Sequence, residues 1–185
     1  MVLTPSQMVP LGTPAHDFIL IEPRSGKMRS LEELRSDKGT VIIFMCNHCP
    51  YVVHIMPALV PLSKEYMEKG ISFVGINAND IENYPDDAPD KMIAFQEKWG
   101  FDFPYLFDET QQTAKAYQAA CTPDIFVFDG GMKLYYRGRF DATRPGSGAS
   151  PTGEDLAAAL DALLAGKEPP KEQFPSVGCN IKWKP

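Results

Sequence analysis

The sequence predicts an α/β fold in which a mixed β-sheet is covered by helices on both of its faces. Short apolar segments rich in β-branched residues alternate with longer segments of helical periodicity, as where residues 40–45 precede a helical pattern. Residues 124–129 and 133–137 flank a Gly-Gly turn, which is typical of an antiparallel hairpin. A right-handed β-α-β unit followed by a hairpin and a closing helix produces this two-sided arrangement.

The N-terminal part of the chain predicts a β-hairpin extension. Residues 17–21 and 27–29 have strand character and flank a Pro-Arg-Ser-Gly turn. Ser30 and Glu33 then match a capping box, in which each side chain satisfies a free backbone N–H group. We therefore expect a short helix directly after the hairpin.

A long helix is predicted to run from about Cys49 to Lys69 and to end at Gly70. Pro57 and Pro61 are expected to kink it or break it, because proline removes a helical hydrogen bond. The later predicted elements are a strand at 71–77, a loop at 79–90, a helix at 91–99 closed by Gly100, a helix from Asp108 through Ala119, a helix at 154–164 and an irregular, proline-rich tail from Lys167.

Composition restricts the classes of function. The 185 residues suit a single domain over 1–185, with 167–185 as a C-terminal strap. A net charge of -6 argues against a nucleic-acid partner. No apolar run is long enough to span a membrane, and residues 1–8 lack the features of a secretory signal, so a cytoplasmic location is expected. Four cysteines in a chain of this length indicate catalysis or metal binding, not a disulfide framework.

The segment Cys46-Asn47-His48-Cys49-Pro50 carries the strongest chemical signal. It lies where the strand at 40–45 passes into the long helix, with Pro50 suited to the first helical turn. A CxxC pair at the first strand-to-helix junction of such a chain points to a thioredoxin-like fold and a redox-active dithiol. One helical turn brings the two sulfurs within reach of a disulfide bond.

The two cysteines are expected to have separate roles. Cys46 is predicted to be the attacking sulfur, because free N–H groups and the positive end of the helix dipole would stabilise its thiolate. Cys49, further into the helix, would resolve the mixed disulfide. A charged imidazole at His48 would favour the Cys46 thiolate and make the disulfide more oxidising.

Thr122-Pro123, just before the strand at 124–129, supplies the second part of the predicted site. Here the chain resembles the thioredoxin superfamily, in which a cis-proline faces the CxxC pair and the backbone of the preceding residue pairs with the substrate. The hairpin segment Pro14-Ala15-His16-Asp17-Phe18, the Cys49-Pro50 pair and the tail at 177–185 are similar to the AhpC/TSA redoxin branch, in particular its peroxiredoxin-like proteins with a CxxC motif. The resemblance implies a cis Pro123, a role in redox homeostasis and often a homodimer.

A thiol peroxidase of non-standard design is the main alternative. In peroxiredoxins a proline and a threonine precede the peroxidatic cysteine, and an arginine begins a later strand. With Cys49 as the peroxidatic residue, these positions hold Ile42, Cys46 and Pro123; with Cys46 in that role, the threonine position holds Ile43. Neither register contains the peroxide-activating set, so efficient peroxidase activity is not expected.

A non-catalytic metal-binding module is a further alternative. Zinc would need two ligands beyond the CxxC pair, and Cys121 and Cys179 are isolated in the sequence. Copper(I) favours thiolates, but His16, His48 and His54 show no convergence. Cys121 and Cys179 have both a packing and a functional interpretation. A solvated charged rim is expected from four residues near the end of the second hairpin: Arg137, Arg139, Asp141 and Arg144.

The sequence therefore predicts a thiol–disulfide oxidoreductase with an antioxidant role, in which Cys46 and Cys49 exchange disulfides and Thr122 and Pro123 position the substrate strand. Its expected partners are a protein or small-molecule disulfide and a thiol electron donor. No cofactor, metal, nucleic acid or membrane is expected to take part.

Overall fold

A computed structural model describes residues 3–185. Met1 and Val2, part of the N-terminal segment considered above, lie outside the described residues. In chain order the helices and strands are β1 (Leu3–Pro5), β2 (Ile19–Glu22), β3 (Lys27–Ser30), α1 (Leu31–Leu34), β4 (Thr40–Phe44), α2 (Pro50–Glu68), β5 (Ser72–Asn77), a 3-10 turn (Pro85–Asp87), α3 (Pro89–Trp99), β6 (Tyr105–Phe107), α4 (Gln112–Ala116), β7 (Cys121–Thr122), β8 (Asp124–Phe128), β9 (Leu134–Gly138), α5 (Glu154–Leu164) and β10 (Val177–Asn180).

A seven-stranded mixed sheet forms the centre of the fold, with the order β3-β2-β6-β5-β4-β8-β9. β4, β5 and β6 run parallel, whereas β2 and β8 pair antiparallel with their neighbours in this group. β8 and β9 form the predicted antiparallel hairpin. The prediction of a thioredoxin-like α/β fold with a central mixed sheet is confirmed.

β4 is buried along its whole length because both faces of the sheet are covered. Val41 and Ile43 pack into a core with α2, α3 and α5, whereas Ile42 and Phe44 face a second core. The period-two alternation of a strand sends successive side chains to opposite faces, so a continuously apolar strand needs two apolar layers. The C-terminal end of β4 is thereby fixed from both sides, immediately before Cys46.

Helix α2 follows the predicted range and is not interrupted by its prolines. Pro57 and Pro61 cannot donate to the carbonyl groups four residues earlier, those of Val53 and Pro57. Both of these residues lie on the exposed side of α2, where water can satisfy their carbonyl groups. The helix ends as predicted, with Gly70 at a positive φ of 97°.

The capping box is confirmed at the start of α1, where the Ser30 hydroxyl accepts a hydrogen bond from the Glu33 backbone N–H. β6 was not predicted; its Tyr105–Phe107 segment is only three residues long. The 79–90 segment, predicted as a loop, contains the 3-10 turn. The helix predicted from Asp108 to Ala119 is restricted to α4, although the Asp108 carboxylate does accept a hydrogen bond from Ala114.

The C-terminal tail differs from its prediction as an irregular strap. Its residues Val177–Asn180 form β10, the middle strand of a three-stranded sheet with the order β1-β10-β7. All three strands are short and come from distant parts of the chain, so none has a local sequence signal. Within residues 3–185, no helix has the length and apolar character needed to cross a membrane.

Candidate active site

The two predicted redox cysteines lie on either side of the turn between β4 and α2. Cys49 is the N-cap residue of α2, and Pro50 is the first helical residue. Cys46 precedes Cys49 by three positions and lies two residues after the end of β4. Both side chains are buried, with 1% of Cys46 and 0% of Cys49 exposed. The structure thus brings the pair together inside the protein and not at an open surface.

Thr122 touches both sulfurs from the neighbouring sheet. The Cys46 Sγ lies 3.6 Å from the Thr122 hydroxyl oxygen. The Cys49 Sγ lies 3.2 Å from the Thr122 carbonyl oxygen, to which the protonated thiol donates. The peptide bond between Thr122 and Pro123 is cis, as the resemblance implied. The predicted cysteine pair and the predicted Thr122-Pro123 pair are therefore adjacent.

Cys49 is the sulfur that the site stabilises as a thiolate. A hydrogen bond from the Cys46 thiol is the largest cause that lowers the pKa of Cys49, and burial opposes it. Further hydrogen bonds, from the side chains of Cys179 and Thr122 and from the Val52 backbone N–H, also lower this pKa, which reaches about 5. The Cys46 pKa is raised well above its ordinary value by this interaction with Cys49, by burial and by the charge of Asp87. The structure favours the opposite order to the predicted Cys46 thiolate, because the free helix terminus begins at Cys49, not at Cys46.

His48 does not act on Cys46 as predicted, because its charge is matched by Asp87. The His48 Nδ1 lies 2.7 Å from an Asp87 carboxylate oxygen, and this pairing raises the pKa of His48. The other Asp87 oxygen accepts a hydrogen bond of 2.8 Å from the Asn47 backbone N–H. Asp87 is 0% exposed, and its negative charge favours the protonated form of Cys46.

Asp87 is a site residue that the sequence did not reveal. It belongs to the 3-10 turn within the segment predicted as a polar loop, where Asp86 and Asp90 are also acidic. This carboxylate contacts the CxxC turn only because the segment after β5 folds back toward that turn, where it accepts the hydrogen bond from Asn47. Its neighbour Asn79 donates a hydrogen bond of 2.7 Å to it, so the acid is held rigidly.

Cys46, His48 and Asp87 form a cluster in which one potential metal ligand from each lies within 4.8 Å of the others. Among residues 3–185 it is the one cluster of this kind. A structural zinc ion takes four ligands, and here the imidazole nitrogen and the carboxylate are already paired with each other. The donor set therefore fits a proton-exchanging group better than a structural zinc site.

Pro123 lines a surface cavity of about 190 Å³, to whose lining none of the four cysteines belongs. His54 also lines it, and the His54 Nε2 lies 2.8 Å from the Thr143 hydroxyl. Cys121 is fully buried, and its sulfur lies 3.7 Å from the Pro123 carbonyl oxygen. Burial raises the pKa of Cys121 far above its ordinary value, so this thiol is expected to be inert.

The strand edge beside Thr122 is occupied by the chain itself. β10 pairs antiparallel with β7, with Cys179 opposite Thr122 and Asn180 opposite Cys121. The sequence predicted that a substrate strand would pair here, but the C-terminal tail already occupies this position. Cys179, whose role the sequence left open, is thereby placed next to Cys49, with the two Sγ atoms 2.7 Å apart.

The predicted solvated rim is wrong for Arg137, whose side chain is 0% exposed. Its guanidinium lies 3.1 Å from the buried Asp124 carboxylate and donates to the Gln7 and Gln118 carbonyl oxygens. Desolvation of a charge is costly, so the pair is retained only with this full set of partners. Asp141 is buried as well, since it accepts hydrogen bonds from the loop before α5.

Comparison with known proteins agrees with this architecture. A sequence model of the AhpC/TSA family matches residues 11–137. The thiol-disulfide oxidoreductase ResA of Halalkalibacterium halodurans is 30% identical over 118 residues, which are 64% of this chain and 62% of that relative. This chain therefore spans less than two thirds of the length of that relative.

Solved structures extend the likeness over the full chain. An uncharacterized conserved protein from Geobacillus kaustophilus is 52% identical, with a TM-score of 0.98 over 100% of this chain and 98% of its own. Peroxidoxin BcpB from Mycobacterium tuberculosis is 26% identical, with a TM-score of 0.62 over 82% of this chain and 96% of its own. The family match covers more than half of the sequence, and the chain belongs to the AhpC/TSA family.

Proposed function

We propose that this protein is a thiol–disulfide oxidoreductase with Cys46 and Cys49 as its catalytic pair. The observation that carries the proposal is the geometry of the site: Thr122, which precedes the cis Pro123, contacts both sulfurs, and the surroundings lower the pKa of Cys49 while they raise that of Cys46. A thiolate next to a thiol is the arrangement that disulfide exchange requires. The ResA relative, named a thiol-disulfide oxidoreductase, supports the same activity.

The reaction begins with Cys49, which reverses the roles expected from the sequence. Its thiolate attacks one sulfur of a substrate disulfide, forms a mixed disulfide and releases the other substrate sulfur as a thiolate. Cys46 then loses its proton and attacks the Cys49 sulfur, which releases the second substrate thiolate and leaves a Cys46–Cys49 disulfide. The substrate gains two electrons and the protein dithiol loses them, so a thiol electron donor must restore the reduced pair.

The electrostatics of the site set this order. The interaction with the Cys49 thiolate is the largest cause of the raised pKa of Cys46. The mixed disulfide removes that negative charge, so the pKa of Cys46 falls when Cys46 is needed as a nucleophile. The His48–Asp87 pair lies within 4.8 Å of the Cys46 sulfur and is placed to receive the proton.

Thr122 and Pro123 are proposed as the substrate-side residues. Thr122 contacts both sulfurs, and Pro123 lines the cavity that a disulfide substrate would approach. The substrate would be a protein or small-molecule disulfide, and the protein would serve antioxidant redox homeostasis as a single domain over 1–185. Cytoplasmic location and homodimer formation stay predictions, which cell fractionation and sedimentation would test.

Insulin reduction with a thiol donor tests the proposal. We expect the wild type to reduce insulin and Cys49→Ser to lose this activity, because no thiolate starts the exchange. Cys46→Ser should still attack insulin through Cys49 but turn over more slowly than the wild type, because it lacks the CxxC thiol that resolves the mixed disulfide. Cys121→Ser, which alters another buried thiol of the same sheet, is the matched control and should retain activity. Full activity in Cys49→Ser would refute the proposal.

Peroxidase activity is a second candidate because the ionised sulfur is Cys49, the residue that matches the peroxidatic position and precedes Pro50. The peroxidoxin from Mycobacterium tuberculosis supports this candidate. Peroxide consumption by the reduced protein, with Cys49→Ser as control, tests it. Metal analysis of the reduced protein tests the third candidate, a metal-binding module.

A further inference from the structure

The C-terminal strand β10 is built into the site as its third cysteine-bearing element. β1 pairs with one edge of β10 and β7 with the other, so Cys179 is held opposite both Leu3 and Thr122. Gly178 lies so close to the Thr122 carbonyl group that a Cβ atom at this position would collide with it. Glycine thus permits the close approach that brings the neighbouring Cys179 to Cys49.

Cys49 contacts two thiols. Cys46 donates to it from the CxxC turn, and the Cys179 Sγ lies 2.7 Å away, against about 2.05 Å in a disulfide bond. Cys179 is 2% exposed, so solvent has little access to it. A thiol in contact with the reactive sulfur and shielded from solvent has that sulfur as its main reaction partner.

We propose that Cys179 is a third redox-active cysteine, which accepts the disulfide from the CxxC pair by forming a Cys49–Cys179 bond. The inference rests on the proposed function, which supplies the Cys46–Cys49 disulfide. The Cys179 thiolate attacks the Cys49 sulfur, the Cys46–Cys49 bond breaks, and Cys46 leaves as a thiolate that takes up a proton. One disulfide and one thiol are consumed and one of each is formed, so no external oxidant is needed.

The charge of Cys49 controls when Cys179 can react. Burial and then the interaction with the Cys49 thiolate raise the pKa of Cys179 to about 12, while the nearby Lys182 lowers it. Once Cys49 is part of a disulfide it carries no charge, and this part of the rise disappears. Cys179 is therefore a better nucleophile after Cys49 has been oxidised than before, although burial still disfavours its thiolate.

A Cys46→Ser variant isolates this step, because it removes the competing resolving thiol. The reduced variant is treated with oxidised glutathione, and the products are mapped by mass spectrometry after alkylation in acid. Cys49 first forms a mixed disulfide with one glutathione. We expect Cys179 to displace it, so that both halves of the oxidant are released and a Cys49–Cys179 peptide is found.

The matched double variants define the comparison. Cys46→Ser/Cys179→Ser should retain the bound glutathione, whereas Cys46→Ser/Cys121→Ser should release it like the parent. A tethered thiol acts at an effective concentration on the order of millimolar, so the glutathione adduct should be roughly tenfold or more lower whenever Cys179 is present. Thermal unfolding of each variant confirms that the fold is intact.

The outcomes separate the inference from the proposed function. Equal glutathione adduct in Cys46→Ser and Cys46→Ser/Cys179→Ser would overturn the role of Cys179, even if the wild type reduces insulin. Formation of the Cys49–Cys179 bond in a protein that does not reduce insulin would overturn the proposed function and leave the internal relay in place.

Discussion

Removal of the Cys46 thiol should shift the ionisation of Cys49 toward neutral pH. The hydrogen bond from Cys46 is the largest cause that lowers the pKa of Cys49 to about 5. A hydrogen bond to a charged group contributes about 1.5–3 kcal/mol, and about 1.36 kcal/mol corresponds to a tenfold change in ionisation. Cys46→Ala should therefore raise the pKa of Cys49 to roughly 6–7.

The ultraviolet absorbance of the thiolate, followed against pH, measures this change. Cys46→Ser is the matched control, because its hydroxyl can still donate to Cys49 and should keep the pKa low. Cys49→Ser should abolish the low-pH step altogether. The reasoning is refuted if the step near pH 5 survives in Cys49→Ser, or if Cys46→Ala shows only an ordinary thiol step near about pH 8.5, since either result would identify Cys46 as the thiolate.

Three further changes follow from contacts around the site. Asp87→Asn should lower the pKa of His48, which an NMR titration measures. In the wild type, the His48–Asp87 pair stabilises the fold fully below about pH 6.5, and this stabilisation is lost as the pH rises through the raised pKa of His48. Gly178→Ala should separate β10 from Thr122, and faster alkylation of the active-site thiolate would report it; an unchanged rate would contradict the steric argument. Asp124→Asn leaves a buried guanidinium unpaired, so urea denaturation should show a loss of about 3–5 kcal/mol, and a loss below 1 kcal/mol would contradict a tight pair.

Elements with strong local patterns were predictable from the sequence. The bounds of α2 and α5 agree with their prediction because apolar periodicity and a terminal glycine act together over many residues, and Pro50 marks the first turn of α2. β6, β7 and β10 were not found, since each is two to four residues long. Such strands are stabilised by pairing with distant segments, and that contribution has no local sequence signature.

The residues of the site likewise differ in how far the sequence predicts them. Cys46, Cys49 and the Thr122-Pro123 pair could be identified because they belong to short motifs at recognisable junctions. Asp87 and Cys179 could not, because their positions depend on how a loop and a tail return to the CxxC turn. The electrostatics depend on the same contacts, because the charge of His48 is matched by the buried Asp87, whose position no local pattern indicates.

The dipeptide Cys49-Pro50 does contain a local signal for which sulfur ionises. Proline is favoured at the first helical position because its φ angle is preset and its missing N–H would be unsatisfied there anyway. The residue before it is then the N-cap, whose side chain faces the remaining free N–H groups of the first turn. In this chain Cys49 therefore occupies the N-cap position, and Cys46, after the end of β4, is left to donate to it. The proposed order of attack follows because the helix begins at Pro50, next to Cys49 and about one turn after Cys46.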